Sequence, residues 1–327
     1  MFKSLFKFIT VFGILGLFLG INAFAENKSL TGAGSSFLYP AMSIWTKAYY
    51  VKTGNKINYQ AIGSGAGIRM LLSGTVDFSA TEIPVLSEQI NKNSWMVFPI
   101  SSSGIVPVVN IPGIKNNELV LSGPVLADIY LGKIKYWNDP KISKLNSNIK
   151  LPHKKIILIH RVGMSGTTYI FTKYLSDVSV VWEQSVGANS MVQWPENSIG
   201  GRENAGEATY IEQIPYSIGY IEYSYILQNS LTCVKMLNKN GKIITANLES
   251  FKTALKNRSR LNAQPDVNAD GDGSWPIIAT TYIMYKKDVS SKEVCKFFNY
   301  IVNSEVLKNR AQKLGYIVAG EINKINH

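Results

Sequence analysis

Arg161-Val162-Gly163-Met164-Ser165-Gly166-Thr167-Thr168 is the stretch on which the reading of this chain turns. Before it, Ile156 to Ile159 is a β-like apolar run; after it, Ile170, Phe171, Tyr174 and Leu175 recur at helical spacing. A strand end, a turn of small residues and a helix start therefore follow one another directly. Backbone N–H groups at a helix start lack intrahelical partners, and the helix dipole favours negative charge there. Ser165 and Thr167 add hydroxyl donors, Gly166 admits close backbone approach, and Arg161 offers a two-pronged contact to an oxyanion. A capped βα turn with a surface arginine fits the same residues. What separates the two readings is whether other turns of the same kind exist, and the chain holds two.

Leu30-Thr31-Gly32-Ala33-Gly34-Ser35-Ser36-Phe37 is the first of them. Pro40 then suits a helix start; Trp45, Ala48 and Tyr49 share a helical face; Gly54 closes the element. Asn58 to Ile62 reads as a strand leading into the second turn, Gly63-Ser64-Gly65-Ala66-Gly67, and a short helix marked by Ile68, Leu71 and Leu72. Val76, Phe78 and Ala80 alternate as in a strand, with Glu82 just past its end. Ligands of open α/β sheets bind outside the carboxyl ends of strands, although an acid in a surface loop is the commoner case. Further along, Gly104–Val109, Ile218–Tyr223 and Ile277–Tyr285 are strand-like. Val125–Leu131, Leu248–Leu255 and Ser291–Leu314 carry helical patterns, and Gly200–Gly206 is a glycine-rich loop. Strands alternating with helices, without repeats or low-complexity linkers, give the α/β class.

The 327 residues begin with a basic n-region (Lys3, Lys7), an apolar run from Phe8 to Ile21 and the A-x-A site Ala23-Phe24-Ala25. This is the pattern of a signal peptide over residues 1–25, cleaved after Ala25; a retained anchor helix is disfavoured because the run is short and the small-residue site follows at once. No cysteine lies near that site to carry a lipid, and no later stretch has the length and apolarity of a span, so the reading is an exported, soluble chain. The remaining length suggests two domains. Apolar residues at 46% and charged residues at 17% suit a well-cored globular protein. The net charge of +12 permits an anionic ligand, but the lysines are scattered and give no support for nucleic acid.

Several motifs fail on inspection. Gly163-Met164-Ser165-Gly166-Thr167 lacks the last glycine of a nucleophile elbow, and His160 has no evident triad partners. Gly63-Ser64-Gly65 has Ile68 where a dinucleotide fingerprint needs glycine. Asp266-Val267-Asn268-Ala269-Asp270-Gly271-Asp272 matches the front of an EF-hand loop, but Ile277 stands where the bidentate glutamate belongs, so the loop reads as a solvated acidic turn. Cys233 and Cys295 have neither the number nor the spacing of a metal site, and in an exported chain they could pair or stay free. No metal or cofactor is expected.

Taken together, Leu30–Phe37, Thr53–Gly67, Thr75–Ala80, Asn110–Gly113, Asp128–Asn138, Ser165–Thr167 with Phe171–Thr172, Ile218–Tyr223 and Trp275–Pro276 make the chain resemble the phosphate-binding proteins of bacterial phosphate ABC importers. The resemblance runs in order along nearly all of the mature chain. It implies a two-lobed periplasmic binding fold of type II kind, each lobe a central β-sheet flanked by helices, with two hinge crossovers. Lobe I would be residues 26–109 with 276–327, and lobe II residues 110–275. Phosphate would be held by Ser36, Phe37, Ser64, Glu82, Arg161, Ser165, Gly166 and Thr167, with Phe37 and Gly166 contributing backbone N–H groups. The protein would be a periplasmic monomer and no enzyme, passing inorganic phosphate to an inner-membrane permease pair with a cytoplasmic ATPase. The competing expectations are another tetrahedral oxyanion (sulfate, molybdate or tungstate) and a secreted phosphatase using Ser64 or Ser165.

A protonated phosphate oxygen can donate to Glu82, whereas sulfate would meet lone-pair repulsion. The chain departs from the family twice. Glu82 stands where the family has Asp, so the ligand must shift or the side chain fold back. Gly163 stands where the family has the Asp that pairs with the arginine, so Arg161 is expected to be less constrained and its charge less offset. With Cys233 and Cys295 assigned to different lobes, a disulfide would tie together parts that must separate, so two free thiols are expected.

Overall fold

The computed structural model describes residues 29–258, 267–288 and 290–320. The N-terminal 1–25 segment and its cleavage site lie outside the described residues. The elements that build the fold's centre are, for the strands, β1 (Ser29–Gly34), β2 (Lys56–Ala61), β3 (Phe78–Thr81), β4 (Trp95–Asn110), β5 (Ile157–Arg161), β6 (Ser198–Gly201), β7 (Ser217–Glu222) and β8 (Ile278–Lys286). The helices that matter to the site are α1 (Tyr39–Thr53), α2 (Ser64–Leu72), α3 (Gly166–Val178) and α4 (Glu203–Gln213).

The strands form a ten-stranded sheet whose main path runs β2-β1-β3-β8-β4-β7-β5-β6; Ile317–Val318 and Thr232–Cys233 also pair with β4. β1 is parallel to β2 and β3, β8 is antiparallel to β3 and β4, and β5 is parallel to β6 and β7. β4 serves both halves of the molecule. From Trp95 to Gly104 it pairs with β8; from Ile105 to Asn110 it pairs with β7. The two lobes of the fold are these two halves, and their central sheets are continuous through β4. At the change of partner, Gly104 leaves room for the ring of Phe251: a Cβ there would sit 2.3 Å from the ring edge. The Trp275 indole N–H donates to Ile105 O at 3.0 Å, so an aromatic pair covers the point where the strand passes between lobes.

Each lobe has its own aromatic interior. Phe298 meets Phe78 and Phe98 edge to face, with Phe297 tilted beside them, in the first, and Phe171 stacks on Tyr220 beside Tyr130 in the second. α1 carries Pro40 in its first turn, buries Met42, Trp45 and Tyr49, and ends where Gly54 at φ 76° donates to Tyr50 O. The helical run expected over Ser291–Leu314 is two helices, Ser291–Val302 and Glu305–Gln312. Ser304 separates them by accepting from Leu307 N, and a cap residue favours a new helix start over continuation. Among the described residues no helix is long and apolar enough to cross a membrane. Cys233 and Cys295 are unbridged; burial pushes the Cys233 thiol up to about 12. In the acidic loop, Asp270 pairs with Lys239 at 2.9 Å and Asp272 approaches Lys242 at 3.8 Å, so those carboxylates are matched by lysines of a neighbouring turn.

Candidate functional site

Six strands of the sheet deliver their carboxyl ends to one place. β1 leads into Ser35-Ser36-Phe37, β2 into Gly63-Ser64 and β3 into Glu82; β5 ends at Arg161, β6 at Gly201 and β7 at Glu222. On the first-lobe side the centre is Glu82, 2% exposed. Its Oε1 accepts from Ser35 Oγ at 2.5 Å and Thr281 Oγ1 at 2.7 Å, and its Oε2 accepts from Ser64 Oγ at 2.9 Å. Burial raises its pKa above the usual carboxylate range, and the three hydroxyl donors pull it part of the way back. The extra methylene of Glu82 is thus absorbed by a carboxylate that reaches the edge of the other lobe.

That edge is the start of α3. A Cβ on Gly166 would lie 2.3 Å from Glu82 Oε2 and 2.6 Å from Ser64 Oγ. Gly166 is required here for close approach, since any side chain would displace the carboxylate or the serine. Ser165 caps α3, its Oγ accepting from Thr168 N at 3.2 Å while its own N–H donates to Ser190 O. Thr167 Oγ1 lies 3.5 Å from Arg161 Nη1. Ser64, Glu82, Gly166, Thr167 and Arg161 therefore meet where the lobes face each other.

The remaining expected residues sit one step away. Ser36 Oγ accepts from Asn204 N at 3.3 Å and Nδ2 at 3.0 Å, and Ser36 O accepts from Tyr225 Oη at 2.8 Å. Phe37 N donates to Ser35 Oγ at 3.1 Å, and Phe37 O accepts from Tyr316 Oη at 2.6 Å. In the first turn it is Ser35, rather than Ser36, that touches Glu82. Gly65 N donates to Met164 O across the cleft at 3.2 Å.

Arg161 corrects an expectation. Its charge is not left unopposed: Nη2 pairs with Glu203 Oε2 at 2.6 Å, and Nε lies 3.8 Å from Glu207 Oε2. Both acids come from α4, which begins inside the stretch Gly200–Gly206 expected as a loop: Gly200 and Gly201 are strand, Arg202 is the N-cap, and Glu203 already opens the helix. Gly163 has φ 74° and nothing within 4 Å of its Cβ position, so the turn is open where the family's acid would stand. The balancing charge comes instead from the neighbouring strand's helix. Glu207 is fully buried, neither of its oxygens nor Arg161 Nε has a hydrogen-bond partner among the described residues, and burial holds its pKa well above the carboxylate range despite Arg161. Burial thus favours the neutral form of Glu207, and the direct ion pair with Arg161 is made by Glu203.

Glu222 sits behind the site, beside the point where β4 changes partner. It accepts from Ser103 Oγ at 2.7 Å, Tyr316 Oη at 2.9 Å, Ser224 N at 2.9 Å and Ser224 Oγ. Burial raises its pKa to about 7 against these donors. Ser35, Thr281, Asn204, Glu203 and Glu207 were missed from sequence. Ser35 adjoins Ser36, Glu203 lies within the glycine-rich stretch Gly200–Gly206 and Glu207 directly follows it, but nothing local marks Thr281. Among the described residues no group of His, Cys, Asp and Glu side chains is placed to hold a metal.

The model of the PBP superfamily domain matches residues 23–305. The chain is 42% identical over 300 residues to the phosphate-binding protein PstS of Pasteurella multocida, covering 89% of this chain and 86% of that one. It is 34% identical over 312 residues to the PstS of Methanocaldococcus jannaschii, covering 87% and 80%. In three dimensions it is similar to a phosphate ABC transporter substrate-binding protein of Clostridium perfringens, solved with bound phosphate, at a TM-score of 0.66 and 20% identity over 89% of this chain and all of that one.

Proposed function

Because the chain belongs to the PstS phosphate-binding proteins of the PBP superfamily, we propose that it binds inorganic phosphate between its lobes and delivers it to an ABC importer. The observation that carries this reading is the meeting of Glu82 and Ser64 with the start of α3 at Gly166, from opposite lobes. Phosphate needs several directed donors to replace its hydration, at roughly 1.5–3 kcal/mol for each charged hydrogen bond. The α3 N–H groups, the hydroxyls of Ser64, Ser165 and Thr167, and the Arg161 guanidinium supply them. Ser36 and the Phe37 N–H complete the set once the first turn adjusts around the anion. Glu82 accepts the proton that phosphate carries and sulfate lacks.

On this reading the first lobe is residues 26–109 with 276–327 and the second is residues 110–275, with β4 as one crossover. The chain is exported with cleavage after Ala25, works in the periplasm as a monomer, and docks on a permease pair driven by a cytoplasmic ATPase. It catalyses no reaction. Calorimetric titration with phosphate and with sulfate tests the proposal. Micromolar or tighter phosphate binding, about −8 kcal/mol, with sulfate at least about a hundredfold weaker is expected; equal affinities would remove the role of Glu82.

A further inference from the structure

Glu203 opens α4 at φ 57°, a left-handed conformation that a side chain rarely adopts. Such strain persists where the surroundings hold it, and it collects at ligand sites. What the strain achieves is placement. Glu203 Oε2 takes the Arg161 guanidinium at 2.6 Å, and Oε1 stands 3.2 Å from the Cβ position of Gly63. Gly63 precedes Ser64, whose hydroxyl donates to Glu82. The Glu203 carboxylate therefore reaches from the second lobe over the first-lobe turn. Its Oε1 accepts no hydrogen bond from a described residue.

Two carboxylates, Glu82 and Glu203, thus flank the same turn from opposite lobes. We propose that Glu203 is a specificity-determining residue of the phosphate site, a second proton acceptor that with Glu82 restricts the site to the singly charged, doubly protonated anion. This rests on the phosphate reading. Dihydrogen phosphate has two O–H groups, one for each carboxylate. Hydrogen phosphate has one, and its bare oxygen would face Glu203 in a site with little water to screen the repulsion. The charges around Glu203 agree. Arg161 from β5 is its cation and is already matched; Glu207 on its own helix is buried, and burial raises its pKa despite Arg161; Tyr225 and Tyr59 present hydroxyls that burial and nearby carboxylates keep protonated. Arg202, the preceding residue, is exposed to solvent.

The test is phosphate titration calorimetry on the wild type, Glu203→Gln and Glu203→Gly between about pH 6 and pH 8.5. Wild-type affinity for total phosphate should fall about tenfold per pH unit above neutrality, following the doubly protonated species. Both variants should show a nearly flat profile and bind more tightly than the wild type at the upper pH. The glycine variant relaxes the backbone at this position and decides the matter if the glutamine variant does not fold. Parallel profiles in wild type and variants, even with shifted affinity, would show a merely structural role and overturn the proposal, as would wild-type affinity that rises with pH. Absence of wild-type phosphate binding at every pH would instead overturn the phosphate reading itself.

Discussion

The two sides of the cleft solve opposite electrostatic problems. On the first-lobe side an acid is buried among neutral donors: Glu82 takes three hydroxyls from Ser35, Ser64 and Thr281. On the second-lobe side a base is buried among acids: Arg161 has Glu203 at 2.6 Å and Glu207 at 3.8 Å. Hydroxyls quiet a charge without cancelling it, and their number can be read as a tuning of proton affinity. Counter-ions cancel it, so the field that Arg161 presents to an incoming anion depends on which of its acids is ionised. On the proposed reading, the first side sets which protons an anion must bring, and the second sets how much negative charge it is allowed to bring.

The largest break in this contrast is to remove the base. Arg161→Leu leaves Glu203 without its cation and should cost about 3–5 kcal/mol of stability, the usual penalty for stripping one partner from a buried pair. Thermal and denaturant unfolding would register it, and an effect under about 1 kcal/mol would mean that Arg161 is effectively solvated. Affinity for phosphate should fall by at least about a hundredfold in the same variant, through loss of charged hydrogen bonds.

A second intervention asks whether hydroxyl collars behave alike. Glu222 is built as Glu82 is, with Ser103, Ser224 and Tyr316 as donors. Its folded-state pKa, about 7, lies above the unfolded value, so the folded protein holds the proton more tightly. The resulting stability is full below the unfolded value and is lost as pH rises through about 7. The wild type should therefore lose up to about 3 kcal/mol between about pH 4.5 and 7.5 from this group, and Glu222→Gln should flatten that segment of the profile. Identical pH profiles would show that the collar stabilises the ionised form fully. The smallest effect belongs to Gly163→Asp. The position has steric room, its φ of 74° costs folding stability rather than affinity, and the base is already paired, so restoring the family's acid should change phosphate affinity by less than about threefold, under 1 kcal/mol. A large gain in calorimetry would mean that the α4 acids do not balance Arg161.

The same contrast marks what the sequence reveals. The second-lobe turn is contiguous, so its serine cap, close-approach glycine and arginine were all visible as one run, and the strand-end position of Glu82 was visible from alternation. The counter-ions of Arg161 were not. Gly163 signalled a missing acid, but the replacement comes from a residue brought alongside by the parallel pairing of β5 with β6. Thr281 reaches Glu82 because β8 returns from the far end of the chain to lie beside β3. Such partners depend on sheet order, and local pattern carries no information on it. The split of the C-terminal helical run at Ser304 shows the converse: periodicity saw the apolar face but not the polar residue that restarts it.

The hydrogen bonds from Asn204 to Ser36, from Tyr225 to Ser36 O and from Gly65 N to Met164 O join the lobes through the protein's own groups. At about 1 kcal/mol each, they favour closure whether or not cargo is aboard. On the proposed transport reading, an importer that judged by shape alone would then meet empty carriers as readily as loaded ones. On that reading, added empty copies compete with the full ones for the same gate. Loosening the Asn204 contact would make the carrier a poorer clasp and a more honest messenger.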